Sequence, residues 1–181
     1  MSEDIGRQVL SRPFRVDEIR DGASGEIAVT ESELEAIAKM LDLAALHQLN
    51  FAYSFEHRGG GRLLLTGTLR AMLTQTCVIS LEPIEARLEV PVEMKFWPAA
   101  LMPHSERNAA DAGTSGLLDW PEAIVEGRID LGPVIYESLA TALDPYPKRE
   151  GARFRWAEDE GEEAETAKTG PFAALAALKQ R

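Results

Sequence analysis

Two neighbouring stretches alternate apolar and polar residues for longer than any other pattern in the chain. In Arg62–Ile79 the odd positions read Leu63, Leu65, Gly67, Leu69, Ala71, Leu73, Gln75, Cys77 and Ile79, with Gln75 the one polar intruder. In Ile84–Phe96 the even positions are Ile84, Ala86, Leu88, Val90, Val92, Met94 and Phe96, and charged residues and Pro91 fill the gaps. A helix would spread such residues around its whole circumference, whereas a strand gathers them on one face. The pattern predicts two long, half-buried strands joined by Ser80-Leu81-Glu82-Pro83. Gly67 is the expected bend, and Pro91 marks a sheet edge or a bulge.

Other segments must cover the apolar face. Pro13–Ile19 alternates after a proline and predicts an edge strand, and Ile27–Val29 a further short one. Thr30-x-x-Glu33 is a capping box, followed by Leu34, Ile37, Ala38 and Leu41 at helical spacing, so a helix is expected over Glu31–Leu41. A second short helix is expected near Leu43–Leu49. Phe51, Tyr53 and Phe55 give the next strand an aromatic face, and Arg58-Gly59-Gly60-Gly61 supplies a turn. A short strand is expected between Ile124 and Ile129, after a turn at Gly127. Gly132-Pro133 opens a helix with Leu131, Ile135, Leu139, Ala142 and Leu143 on one face, and Asp144-Pro145-Tyr146-Pro147 stops it. The fold class expected is α+β: an antiparallel, strongly curved, partly barrel-like sheet with two packed helices and a flexible C-terminal tail. Its organisation is a loose lead over 1–12, one domain over 13–147 with a flexible loop at 98–118, and a charged tail over 148–181. That tail ends in a short amphipathic segment, Pro171–Arg181.

Composition narrows the function classes. With 19 basic and 30 acidic residues the net charge is −11, which opposes whole-surface binding to nucleic acid or anionic lipid. DNA and membrane partners are therefore not expected. No apolar run approaches a membrane span, and MSEDIGRQVL lacks the basic start and apolar run of a signal peptide, so a cytoplasmic location is expected. The charge is uneven: residues 1–57 carry −6, residues 58–97 carry +1, and residues 98–144 carry −6. Acidic blocks of that kind fit a basic partner. In the tail, Lys148, Arg149, Arg153 and Arg155 interleave with Phe154 and Trp156. Basic residues beside aromatic ones can hold phosphates and stack bases, and the plainer alternative is a basic stretch neutralised by nearby acids.

Catalytic and metal signals are sparse. There is no phosphate-binding glycine motif, and Gly59-Gly60-Gly61 precedes a strand rather than a helix. His47, His57 and His104 are dispersed and no His-x-x-x-His pair exists, so no metal ion and no cofactor are predicted. Cys77 reads most simply as a small buried hydrophobe. Asp130 reads as a helix-start acceptor and Asp144 as a turn acceptor ahead of Pro145. The competing reading is a small hydrolase or ligand-binding barrel using Asp130, Asp144 or Cys77, which requires these side chains to converge on one pocket.

Four ordered segments together resemble the YceD family of large ribosomal RNA subunit accumulation proteins, in its alphaproteobacterial form. They are Gln75-Thr76-Cys77-Val78 with Leu81-Glu82-Pro83, Ile129-Asp130-Leu131-Gly132, Leu143-Asp144-Pro145-Tyr146-Pro147, and Pro171-Phe172-Ala173 with Leu175 and Leu178-Lys179. The resemblance implies a non-enzymatic ribosome-biogenesis factor that supports accumulation or processing of large-subunit ribosomal RNA. Its partners would be that RNA or a basic ribosomal or assembly protein. RNA contact would fall to Lys148, Arg149, Arg153, Phe154, Arg155 and Trp156, and partner contact to Asp130, Asp144, Tyr146, Phe172, Leu175 and Leu178. Many members of the family carry Cys-x-x-Cys where Cys77 stands. Here Ser80 takes the second position and the C-terminal stretch has no Cys, so no zinc or redox role is carried over.

Overall fold

The structure, a computed structural model, describes residues 9–102 and 120–153. In chain order the elements are β1 (Pro13–Arg15), β2 (Ser24–Ala28), α1 (Glu31–Met40), β3 (Ala45–His57), β4 (Leu63–Thr76), β5 (Pro83–Pro98), β6 (Glu122–Ile124), β7 (Arg128–Asp130) and α2 (Leu131–Ala142). The alternating stretches form β4 and β5, which pair antiparallel without a break from Leu63↔Phe96 to Thr76↔Pro83. With β3 they make a meander. β2 extends it antiparallel on one side and β6 pairs in parallel with the end of β5 on the other. The sheet order is β2-β3-β4-β5-β6, and β1 and β7 form a separate antiparallel pair. Among the described residues the fold is α+β, with a mostly antiparallel sheet and the two helices α1 and α2 packed on it. The sheet, among the described residues, is open and does not close into a barrel, for β2 and β6 lie at opposite edges.

The apolar face of the meander is covered by both helices. Phe51 and Phe55 of β3, Leu65, Leu69 and Leu73 of β4, Ile37 of α1, and Leu131, Ile135 and Leu139 of α2 are all fully buried in one core. Each such side chain contributes about 1.5–3 kcal/mol relative to exposure, which holds α2 against the sheet. The expected aromatic face draws in the small sheet as well. Phe14 of β1 meets Tyr53 and Phe55 edge-on, at centroid distances of 5.5 and 5.7 Å.

Several expectations require correction. Leu43–Leu49 is not a helix, for β3 begins at Ala45. A bulge between Leu46 and Gln48 shifts the alternation by one residue, so Leu46 and Leu49 are both buried at a spacing of three, which imitates a helix. No bulge accompanies Gly67, because register runs straight through it. A Cβ there would lie 2.5 Å from the Ala52 carbonyl oxygen and 2.6 Å from the Phe51 ring, so glycine makes room for the neighbouring strand. The strand expected over Pro13–Ile19 stops at Arg15 and continues as a 3-10 turn, Val16–Glu18. The single strand expected between Ile124 and Ile129 is two strands in different sheets, divided at Glu126 and Gly127, both with positive φ. Pro91 sits without a bulge opposite Thr68, and its other side faces no strand among the described residues, as an edge position requires. Leu10–Arg12, expected within a loose lead, is held down. Leu10 is buried, and the Arg12 guanidinium makes a paired contact of 2.8 Å with each Glu33 carboxylate oxygen.

Candidate functional site

The two ends of α2 position most of the residues singled out from sequence. At its start Asp130 is the N-cap, where the first backbone N–H groups of a helix need acceptors. Asp130 Oδ1 accepts from the N–H of Gly132 at 2.8 Å and of Arg12 at 2.6 Å, and Oδ2 accepts from the Ser11 hydroxyl at 2.7 Å. The close crossing explains Gly132, where a Cβ would meet the Leu10 carbonyl oxygen at 1.9 Å. At the other end the Tyr146 N–H donates to Asp144 Oδ1 at 2.9 Å, closing the turn before Pro147, and Gln75 Nε2 donates to the Asp144 backbone carbonyl at 2.9 Å. The 12-residue helix between them separates the two aspartates by roughly 18 Å at 1.5 Å per residue. Both carboxylates serve backbone geometry.

Cys77 begins the β4–β5 turn and is fully buried. It does more than fill space. Its sulfur accepts the backbone N–H groups of Ser80 and Arg149, each at 3.4 Å. These donors, with the Ser80 hydroxyl as the largest influence, hold the thiol well below its ordinary range, at about 6, against the opposing effect of burial. The Cys77 N–H donates to the Glu82 carbonyl and the Val78 N–H to the Pro147 carbonyl, both at 2.9 Å. Arg149 closes the assembly through its guanidinium, which pairs with the Glu82 carboxylate and lowers the pKa of that acid. The turn is therefore built from two chain segments about seventy residues apart.

The remaining groups fall apart in space. Asp130 lines one cavity and Asp144 another, and Cys77 lines neither. The convergence that a hydrolase reading of these three residues requires is not present. His47 Nε2 meets the Thr74 hydroxyl and His57 Nε2 meets the Ile19 carbonyl, each at 2.9 Å. Among the described residues no group of three or more His, Cys, Asp and Glu is placed to hold a metal ion, and no helix is long and apolar enough to cross a membrane. Lys148, Arg149, Arg153 and Tyr146 are exposed. Phe154, Arg155, Trp156, Phe172, Leu175 and Leu178 lie outside the described residues.

Carboxylates do gather beside the N-terminal half of α2. A cavity of about 270 Å³ between β1, β6, β7 and α2 is lined by Glu122, Glu126, Asp130 and Glu137, with Arg128 as its cation. An adjoining open groove along β5 adds Glu93, with Lys95 and the half-exposed Trp120. Of the described acids in the block read from sequence at 98–144, Glu122, Glu126, Asp130 and Glu137 line this cavity, whereas Asp144 stands at the other end of α2.

A family model for the large ribosomal RNA subunit accumulation protein YceD matches residues 65–179. The chain belongs to the YceD family. No curated protein and no solved structure matches it. The YceD match begins inside β4 and takes in the Cys77 turn, β5, β6, β7, α2 and the segment up to Lys179. It supports a place in ribosome biogenesis, in the accumulation of large-subunit ribosomal RNA. Sequence reasoning missed Glu82 and Arg149 as a pair and gave Leu81 no role. The available signal was a leucine standing in a turn between Ser80 and Glu82, where a polar residue is usual.

Proposed function

We propose that this YceD-family chain acts in the cytoplasm by binding rather than by bond chemistry, and that its first contact in large-subunit assembly is a basic ribosomal or assembly protein. The observation that carries the reading is the family match over residues 65–179. Charge supports the choice of partner. The chain carries a net charge of −11, and Glu93, Glu122, Glu126 and Glu137 gather around the β5–β6–α2 side. Such a surface attracts cationic segments and slows approach to a polyanion. Of the basic residues read as RNA contacts, Arg149 is already paired with Glu82.

The test is capture of cellular partners on the full chain with and without nuclease. Retention of a basic ribosomal protein after nuclease, with loss at high salt, is the expected result. Glu93→Lys with Glu137→Lys should weaken that retention at least tenfold. Loss of every ribosomal component after nuclease treatment overturns the protein-first reading. Reduced RNA retention on charge reversal at Arg153 and Arg155 would then assign the contact to the Lys148–Trp156 segment.

A further inference from the structure

The end of the molecule that carries the β4–β5 turn is unusually apolar for a surface. Val78, Leu81 and Tyr146 leave 47%, 75% and 70% of their area open. Leu81 is also held at a φ of 59°, a conformation that costs a leucine roughly 1–2 kcal/mol. Beside them runs an open groove of about 610 Å³, walled by Leu41, Leu43, Val78, Ala140, Leu143 and Pro147. Its charged lining residues are Asp42 and Asp144, both carboxylates. Isolated exposed apolar side chains need no explanation, but a groove that takes in Val78 and is lined on both sides of Tyr146 by Pro145 and Pro147 marks a docking surface.

We propose that the occupant is the chain's own C-terminal segment, Pro171–Arg181, which seats Phe172, Leu175 and Leu178 in this groove. The chain's course supports it. The last described residue, Arg153, follows directly on the Pro147–Arg149 stretch that builds the turn, and the stretch 154–170 leaves 17 residues to reach Pro171. Seventeen residues can span at most roughly 55–60 Å, so the length of chain between Arg153 and Pro171 allows the segment to reach the groove. The segment's apolar residues recur at helical spacing, yet it is too short to hold a helix alone and requires a surface. Charge agrees, since Lys179 and Arg181 bring cations to a groove whose charged residues are Asp42 and Asp144. The family match embraces two of the three groove walls, at 75–78 and 140–147, and the segment up to Lys179; the wall at 41–44 lies outside it. The inference stands independently of the partner proposed above.

The experiment compares the full chain with full chains carrying Leu175→Asp and Leu178→Asp together, or Val78→Asp. Val78 is half-exposed, so its variant reports on the groove without emptying the core. Both variants should speed amide exchange over 76–82 and 140–147 at least tenfold and melt roughly 2–6 °C lower. The combination should add nothing further. Unchanged exchange and melting in the Leu175/Leu178 variant overturn the proposal. If that variant also loses a captured partner, the segment is a ligand for another protein and self-docking is wrong.

Discussion

The two turns of the meander solve the same problem by opposite means. The β3–β4 turn is a local device. Gly59, Gly60 and Gly61 take φ of 72°, 61° and 74°, and Arg58 and Arg62 close the loop with backbone bonds to its own residues. Glycine meets these angles with no steric cost. The β4–β5 turn places a leucine in the left-handed region and anchors its backbone on a cysteine sulfur and on Pro147–Arg149. The first turn shapes itself. The second is held by contacts from across the molecule and keeps apolar side chains in water, as surfaces that bind something do.

Four experiments break or sharpen this contrast. The largest effect is expected between the turns, where Gly67→Ala would drive a methyl into the Phe51 ring and the Ala52 carbonyl. A loss of about 3 kcal/mol or more, read by urea denaturation, is expected. A loss below 1 kcal/mol would mean that β3 and β4 have slack and that the turns set the register. Next, Cys77→Ala removes the acceptor of two N–H groups in the second turn, and should cost about 2 kcal/mol. A neutral outcome would reduce the sulfur to filler and make the second turn as self-sufficient as the first.

The third experiment compares two arginine–glutamate ties. Arg12 lowers the Glu33 pKa to about 2 from 4.5, and Arg149 lowers that of Glu82. Both pKa values fall on folding, so each pair stabilises the fold above the unfolded value and loses that contribution as pH drops through the folded one. For Glu33 the window runs from about 4.5 down to about 2, with on the order of 2 kcal/mol at stake. Glu33→Gln should flatten stability across that window in a pH series of urea titrations. Glu82→Gln should change it far less, because both partners of that pair are more than half exposed. Equal effects would raise the second turn's ion pair to a main support.

The smallest effects carry the sharpest sign. Gly60→Ala should destabilise by about 1 kcal/mol, because its φ of 61° suits glycine. Leu81→Gly should stabilise by roughly 0.5 kcal/mol, since it relieves the same conformation at an exposed site. Thermal melts of the two variants moving in the same direction would erase the distinction.

Much of this fold was legible residue by residue. The long alternations became β4 and β5, Thr30 and Glu33 form the capping box of α1, and Asp130 and Asp144 cap and stop α2. The error at Leu43–Leu49 shows the limit. A single extra residue in β3 rewrote a period of two as a spacing of three, and period is the only thing such a reading measures. The candidate site was harder still. Asp130 and Asp144 were visible as singular residues, whereas the Cys77 sulfur as an acceptor for Arg149, and Arg149 as the partner of Glu82, were not.

The sequence alone settled most of what neighbours along the chain decide: the long strands and both helices, the caps, the glycine turn and the sign of each charged block. Dihedral preferences, side-chain period and short-range hydrogen bonds act over a few residues and are written where they act. Tertiary structure decided the open sheet with its parallel sixth strand, the clamp on the second turn, and the aspartate shared between Ser11, Arg12 and Gly132. Those depend on donors and acceptors up to 119 residues apart. Only the collapse of the core brings such groups within bonding distance.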